Sequence, residues 1–191
     1  MFSVYHEPKV IKNFISDEVC DFLINTDTSS FRVSEVGISA TENNLIQQYS
    51  RHSKDRTVSL TEYGVSEIYE KCSKFTNMPL SHIEDISVVK YEEGGFFLDH
   101  KDAYADYPRQ YTIILYLNDD YEGGETEFPL LKKKYKLKKG DALFFNNYDT
   151  YGNITEQSTH RGNKVISGVK YICNVWIHSE KVKKGDALFF V

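Results

Sequence analysis

The chain has few cysteines, few prolines and no long apolar run. Its three cysteines, Cys20, Cys72 and Cys173, have no paired spacing and leave one over, which argues for a reducing compartment and against a disulfide framework. None is spaced with a second sulfur as a zinc ligand pair, so a structural zinc site is disfavoured. No window approaches a membrane span, and the amino terminus lacks a signal-peptide pattern. These absences predict a soluble, cytoplasmic protein without a membrane partner.

The charge balance excludes another class of partner. A formal net charge of −5 over 191 residues disfavours a general nucleic-acid binder, because phosphate contacts require a basic surface. Residues 132–139 form a local basic run, which we interpret as a solvated loop leading into a strand rather than as a docking site for an acidic partner. The length predicts one domain that buries a substantial core without cross-links.

The order of periodic segments predicts an α+β protein. A short strand is expected at 10–14, followed by a helix that Ser16 can cap. Apolar residues recur at three- and four-residue intervals over 65–75, which predicts a second helix with one buried face. Between the helices, 26–55 reads as loops with one short strand. Strand patterns follow from Ile83 onward, at 86–91, 112–117, 125–128, 142–145 and 169–177.

The chemistry-bearing residues are His100 and Asp102, followed much later by His160 and Lys170. Two neutral imidazoles and one carboxylate can occupy one face of an octahedral ferrous ion and leave positions open for an organic acid and dioxygen. In an extended strand residues two apart point the same way, so we expect His100 and Asp102 to project from one face. Taken singly, each part of this set has a simpler interpretation. The His100–Asp102 pair could be a solvated strand end, His160 a loop histidine, and Lys170 a solvated lysine on a strand edge.

Three further blocks join the histidine segments: Arg109–Asn118, Gly123–Pro129 and Lys139–Phe145. In this order and at these spacings, the sequence from about Ile83 to His178 resembles the prolyl 4-hydroxylase-like family of iron(II)- and 2-oxoglutarate-dependent dioxygenases. The resemblance implies a double-stranded β-helix, or jelly-roll, barrel with supporting N-terminal helices. It also implies a single domain over residues 1–180, with the core motifs in 83–178.

The resemblance assigns roles to eight residues. It implies that the catalytic iron(II) ligands are His100, Asp102 and His160. It implies that Lys170 binds the distal carboxylate of the co-substrate and that Tyr91 contacts its metal-proximal end. Tyr116 and Thr112 would line the distal part of the co-substrate. Trp176 would be an aromatic residue beside the iron. A simpler reading of Trp176 is a core-filling residue. Physical chemistry supports the lysine independently, since a lysine inside an apolar barrel would lose its proton unless an anion met it there.

The implied reaction is hydroxylation of peptidyl proline, with consumption of dioxygen and 2-oxoglutarate, release of succinate and carbon dioxide, and ascorbate as a reductant. The expected partner is a peptide or protein that contains proline. Four residues could line a peptide groove: Tyr104, Tyr107, Arg109 and Tyr121. The alternatives are the same chemistry on another side chain or a small molecule, and a non-catalytic module that binds metal or 2-oxoglutarate. The complete ligand set argues against the non-catalytic module.

Residues 138–145 recur without change as 183–190, directly before the terminal Val191. Eight residues are too few for a repeat architecture, whose units span at least about twenty residues. Recombination, or an error that copied an internal segment, is the simpler explanation of this C-terminal tail, residues 181–191.

Because the family-like region is complete at about His178, we predict that deletion of residues 181–191 leaves turnover of 2-oxoglutarate intact. Succinate formation by the truncated and full-length proteins would measure this. Loss of turnover in a truncated protein that keeps its circular dichroism spectrum would contradict the prediction.

Overall fold

The computed structural model describes residues 4–34, 50–105 and 108–182, which form mostly β-sheet with two α-helices. The helices are α1 (Asp17–Asn25) and α2 (Val65–Thr76). The strands in chain order are β1 (Lys9–Ile11), β2 (Arg32–Val33), β3 (Arg51–His52), β4 (Lys54–Thr57), β5 (Ser87–Tyr91), β6 (Phe96–His100), β7 (Arg109–Tyr116), β8 (Glu122–Gly123), β9 (Thr126–Phe128), β10 (Lys133–Tyr135), β11 (Ala142–Asn146), β12 (His160–Gly162), β13 (Val165–Ser167) and β14 (Lys170–His178).

Both predicted helices are confirmed. Ser16 caps α1 by accepting a hydrogen bond from the backbone N–H of Val19 at 3.3 Å. The C-cap of α2 is Asn77, whose left-handed φ of 56° ends the helix. The strand expected at 10–14 is shorter than predicted, because Asn13 has a positive φ and turns the chain out of the sheet.

Two antiparallel sheets carry the architecture. The larger has seven strands in the order β1-β11-β7-β14-β5-β4-β2, and the smaller has five in the order β10-β9-β12-β6-β3. A separate two-stranded sheet pairs β8 with β13. The strands of the larger sheet are far apart in sequence, since β14 lies between β5 and β7.

Alternation along β7 divides the core into two clusters. Ile113 and Leu115 belong to the cluster that also contains the buried faces of α1 and α2. Ile114 and Tyr116 belong to a second cluster, which includes Phe128 from the smaller sheet. The seven-stranded sheet therefore packs against helices on one face and against the second sheet on the other. The α+β prediction is met only in the coarser sense of a mostly β protein with a few helices.

The basic run is a loop only in part, because Lys133–Tyr135 form β10, and the cysteines are unpaired. All three cysteines are buried free thiols. Lysines of the basic run form surface ion pairs, among them Lys133 with Glu7 at 2.6 Å and Lys139 with Asp21 at 2.6 Å. No helix within the described ranges is long and apolar enough to cross a bilayer. The duplicated residues 183–190, and residues 35–49 of the expected loop region, lie outside the described residues.

Candidate active site

The two histidines lie on neighbouring strands of the smaller sheet. His100 is the last residue of β6 and His160 the first of β12, and antiparallel pairing sets them directly opposite each other. Their ring centroids are 4.2 Å apart. Sixty residues of sequence separate them, so this pairing, rather than any local motif, brings the imidazoles together. The alternative of a solvated loop histidine is excluded for His160, which is buried.

The backbone fixes the tautomer of both rings. The Nδ1 of His100 lies 2.8 Å from the carbonyl oxygen of Leu98, and the Nδ1 of His160 lies 3.0 Å from that of Ser158. A carbonyl only accepts hydrogen bonds, so each Nδ1 carries the proton and each Nε2 keeps its lone pair. Both histidines therefore present Nε2 as a metal-binding atom, with the orienting bond that metal-ligating histidines usually have.

Asp102 completes the cluster from a bend rather than from a strand. The strand β6 ends at His100, and Asp102 lies in a bend beyond it, so the two side chains converge as expected but not from one extended strand. The chain leaves the sheet there because other contacts hold Asp102: Arg109 donates to its carbonyl at 3.3 Å, and Thr112 donates to Oδ2 at 2.7 Å. The carboxylate nevertheless lies 3.8 Å from Nε2 of both His100 and His160.

Three potential ligand atoms thus lie within 4.8 Å of one another. Burial, and secondly the neighbouring His160, lower the pKa of His100 to about 3, so the ring of His100 is neutral. Burial alone would raise the pKa of Asp102, but the two imidazoles, Arg109 and the Thr112 hydroxyl together lower it. Two imidazole nitrogens and one carboxylate are a donor set that fits a divalent transition metal with open positions.

Lys170 is the other unusual group of this region. Its side chain is 2% exposed, its Nζ donates to the carbonyl of Gly124 at 2.7 Å, and the rings of Tyr91 and Tyr116 lie 5.5 Å away. Burial lowers the pKa of Lys170 to about 7. Within the described ranges no carboxylate forms a salt bridge with it, so the site is suited to an incoming anion. The alternative of a solvated edge lysine is excluded.

One cavity joins the cluster to Lys170. Alternate residues of β14 form one wall, because residues two apart on a strand point to the same face. Those residues are Lys170, Ile172, Asn174 and Trp176. The remaining lining residues are Arg51, Tyr91, Phe97, His100, Asp102, Ile114, Thr126, His160, Arg161 and Gly162.

Comparison with known proteins agrees with this geometry. The family model described as the 2OG-Fe(II) oxygenase superfamily matches residues 86–178. A protein of Acanthamoeba polyphaga mimivirus, assigned by name to the prolyl 4-hydroxylases, is 30% identical over 190 residues, which cover 93% of this chain and 76% of the viral protein. The chain belongs to the prolyl 4-hydroxylase-like 2OG-Fe(II) oxygenases. It is accordingly a 2-oxoglutarate-dependent dioxygenase whose cofactors are iron(II) and 2-oxoglutarate.

Other members of this oxygenase family are similar over most of the chain. Prolyl 4-hydroxylase 1 of Arabidopsis thaliana is 29% identical over 194 residues, covering 90% of this chain and 68% of the plant protein. The solved viral collagen prolyl hydroxylase of Paramecium Bursaria Chlorella virus-1, in its 2OG complex, is 31% identical. Its TM-score is 0.68, and the match covers 89% of this chain and 94% of the viral chain. The two-sheet architecture described above is therefore the jelly-roll fold of these oxygenases.

The structure places the four further predicted residues in different surroundings. Tyr91 and Trp176 line the cavity, and Tyr91 is paired in register with Lys170. Tyr116 lies against Lys170, with its hydroxyl 2.8 Å from Thr126 Oγ1. Thr112 contacts Asp102 and lies opposite Trp176, and it is not among the cavity-lining residues near Lys170.

The four residues predicted to line a peptide groove differ in their exposure. Tyr121 is buried in the core cluster between the sheets, so the prediction that it lines a groove is wrong. Arg109 is also buried, with its guanidinium 3.9 Å above the Trp176 ring. Tyr104 is 52% exposed. Tyr107 lies outside the described residues.

Sequence reasoning missed a buried ionic network behind Asp102. Arg109 donates to both carboxylate oxygens of Glu84, at 2.6 and 2.9 Å, and the Nε2 of His178 bonds the same carboxylate. Arg109 and His178 are also paired across β7 and β14. Glu84 precedes a strand without any periodic signal, so no local pattern could have identified it. A second omission is Arg51, which lines the cavity and stacks on Phe97 with 4.7 Å between guanidinium and ring.

We predict that Glu84→Gln destabilises the fold by about 3–5 kcal/mol at pH 7, because it leaves Arg109 charged and unpaired inside the protein. Burial would raise the pKa of Glu84, but His178 and Arg109 outweigh it and lower the pKa. The ionised carboxylate therefore stabilises the native state above the unfolded-state pKa of about 4.3, and this contribution disappears as pH falls through the lower folded-state pKa.

Urea unfolding of wild type and Glu84→Gln at several pH values would measure the difference, which should shrink below about pH 4. Glu92→Gln is the matched control, since Glu92 is exposed and its loss should cost at most about 1 kcal/mol. Equal effects of the two substitutions would contradict the network.

Proposed function

We propose that this oxygenase hydroxylates proline residues in peptides or proteins, with ascorbate as a reductant. The curated relatives reported above are named as prolyl 4-hydroxylases, and the similar viral structure is titled a collagen prolyl hydroxylase. Residues 1–180 are proposed as one catalytic domain, because strands from Lys9 to His178 build the two sheets around the cavity described above.

The observation that carries the proposal is the convergence of His100, Asp102 and His160 in the same cavity as the buried Lys170. We assign the first three as iron(II) ligands. Their donor atoms fit the ion, because both Nε2 atoms keep free lone pairs and the carboxylate is ionised. When bound, iron supplies the redox chemistry with dioxygen, while 2-oxoglutarate provides two electrons as it is converted to succinate and carbon dioxide.

The proposed roles of the remaining residues follow from their surroundings. Lys170 pairs with the distal carboxylate of 2-oxoglutarate, and Tyr116 lies beside that ion pair. Tyr91, which the resemblance assigns to the metal-proximal end, also has its ring 5.5 Å from Nζ of Lys170. Trp176 and Ile172 help to line the cavity and exclude water from the reacting atoms. Thr112, in contrast with its expected role, contacts the metal-binding carboxylate rather than the co-substrate.

Asp102→Ala tests the iron assignment. Removal of the only carboxylate of the cluster should abolish iron-dependent conversion of 2-oxoglutarate to succinate while the fold survives. The protein, ferrous iron, ascorbate, 2-oxoglutarate and a proline-containing peptide library would be incubated, and products identified by mass.

Wild type should add one oxygen atom to proline in a subset of peptides, and Asp102→Ala should not. Asp21→Ala, on the exposed surface of α1, serves as the control and should retain activity. Undiminished succinate formation by Asp102→Ala would reject the ligand assignment, and oxygen added only to residues other than proline would reject the substrate class.

The depressed pKa of Lys170 predicts pH-dependent binding of 2-oxoglutarate. Only the ammonium form attracts the carboxylate, and it is lost as pH rises through about 7 in the free protein. Affinity should therefore weaken above pH 7, by up to about tenfold per pH unit, and binding should take up a proton.

Calorimetry on the Mn(II)-loaded protein in buffers of different ionisation enthalpy would measure both effects. Lys170→Ala should raise the KM for 2-oxoglutarate more than it lowers kcat, and it should abolish the proton uptake. Lys138→Ala, at an exposed surface ion pair, is the control. Equal affinity at pH 6 and pH 8, without proton uptake, would remove Lys170 from the proposed site.

A further inference from the structure

A chain of two hydrogen bonds runs from Asp102 into the protein interior. The hydroxyl of Thr112 donates to Oδ2 of Asp102 at 2.7 Å, and the amide Nδ2 of Asn147 donates to the hydroxyl of Thr112 at 3.0 Å. Asp102 is 5% exposed, Thr112 1% and Asn147 0%. Neither Thr112 nor Asn147 lines the cavity, so neither is placed to touch a substrate.

The direction of both hydrogen bonds is fixed by the chemistry of the three groups. An ionised carboxylate can only accept, so the single hydroxyl proton of Thr112 points at Asp102. The hydroxyl oxygen must then accept from its other neighbour, and only Nδ2 of the Asn147 amide can donate. A carboxylate or an apolar group at position 147 could not support this direction.

Both supporting residues are held by the backbone of the larger sheet. Thr112 lies in β7, where it is paired with Phe145 of β11 on one side and Trp176 of β14 on the other. The N–H of Asn147 donates to the carbonyl of Gln110 at 3.0 Å, and its own carbonyl accepts from Thr155 at 3.1 Å. Asp102, by contrast, lies beyond the end of β6 and has no strand to hold it.

We propose that the Asn147–Thr112 pair is a positioning relay that fixes Asp102 as a one-oxygen metal ligand. With Oδ2 engaged by Thr112, the carboxylate cannot rotate freely, and it cannot offer both oxygens equally to the ion. The metal keeps the open positions that the co-substrate and dioxygen need. Arg109 holds the backbone of the same residue, so Asp102 is restrained at both its carbonyl and its carboxylate. This inference depends on the iron ligand set proposed above.

The test uses Co(II) as the probe, because its visible absorption reports the number and geometry of its ligands and its binding needs no turnover. Thr112→Val has nearly the same shape as threonine but has no hydroxyl. It should weaken Co(II) binding about 10–100-fold, as loss of an orienting partner usually does, and change the absorption spectrum. Thr112→Ser keeps a hydroxyl and should restore both properties.

Asn147→Asp tests the direction of the relay. An aspartate at 147 accepts instead of donating, so it should draw the Thr112 proton away from Asp102 and reproduce the effect of Thr112→Val although the threonine is intact. Unfolding midpoints of the metal-free variants separate a folding defect from a ligand-positioning defect. If Asn147→Asp does not fold, the comparison of the valine and serine variants decides the question.

Asp102→Ala distinguishes failure of the relay from failure of the metal site. If wild type binds Co(II) at one site that Asp102→Ala loses, the ligand set stands. In that case, unchanged Co(II) affinity and spectrum in Thr112→Val would overturn the relay alone. A Thr112→Ser variant that behaves like Thr112→Val would also overturn it, since a hydroxyl would then be insufficient. If wild type and Asp102→Ala bind Co(II) equally, the proposed ligand set and the proposed relay are both wrong.

Discussion

The antiparallel pairing of β6 with β12 is the contact on which the site depends. It places His100 opposite His160 and so determines where any metal-binding centre can lie. Register matters because a slip of one residue would turn one imidazole to the other face of the sheet. The smaller sheet therefore supports two proposed metal ligands, and the larger sheet supplies the opposite wall of the cavity.

Asp102, the third proposed ligand, is held by contacts other than strand pairing. Asp102 lies in a bend, where sheet hydrogen bonds cannot restrain it, and the larger sheet restrains it instead through Arg109 and Thr112. Arg109 is itself fixed by the carboxylate of Glu84, which His178 also contacts. The buried network thus couples the end of β14 to the loop that carries Asp102. It stabilises the fold and the geometry of the site together.

The sequence predicted the elements whose signals are local. The Ser16 cap, the apolar period of α2 and the strand expected at 169–177 each depend on residues near one another in the chain, and each was confirmed. The short strands of the smaller sheet carry no such signal, because β3 and β12 have two and three residues and form only by pairing with distant partners. For the same reason the bend that carries Asp102 was not predicted, and Glu84, Arg51 and Asn147 were missed as part of the site. Lys170 could be singled out, but its proposed role comes from the family resemblance rather than from periodicity.

Both imidazoles are oriented by main-chain carbonyls two residues earlier, at Leu98 and Ser158, rather than by carboxylate side chains. Main-chain acceptors are the same whatever residue occupies a position. Leu98 points its side chain outward and is half exposed, so its identity is free to vary while its carbonyl continues to select the tautomer of His100. A substitution of Leu98 can therefore change the protein surface beside His100 without removing the hydrogen bond that orients its ring.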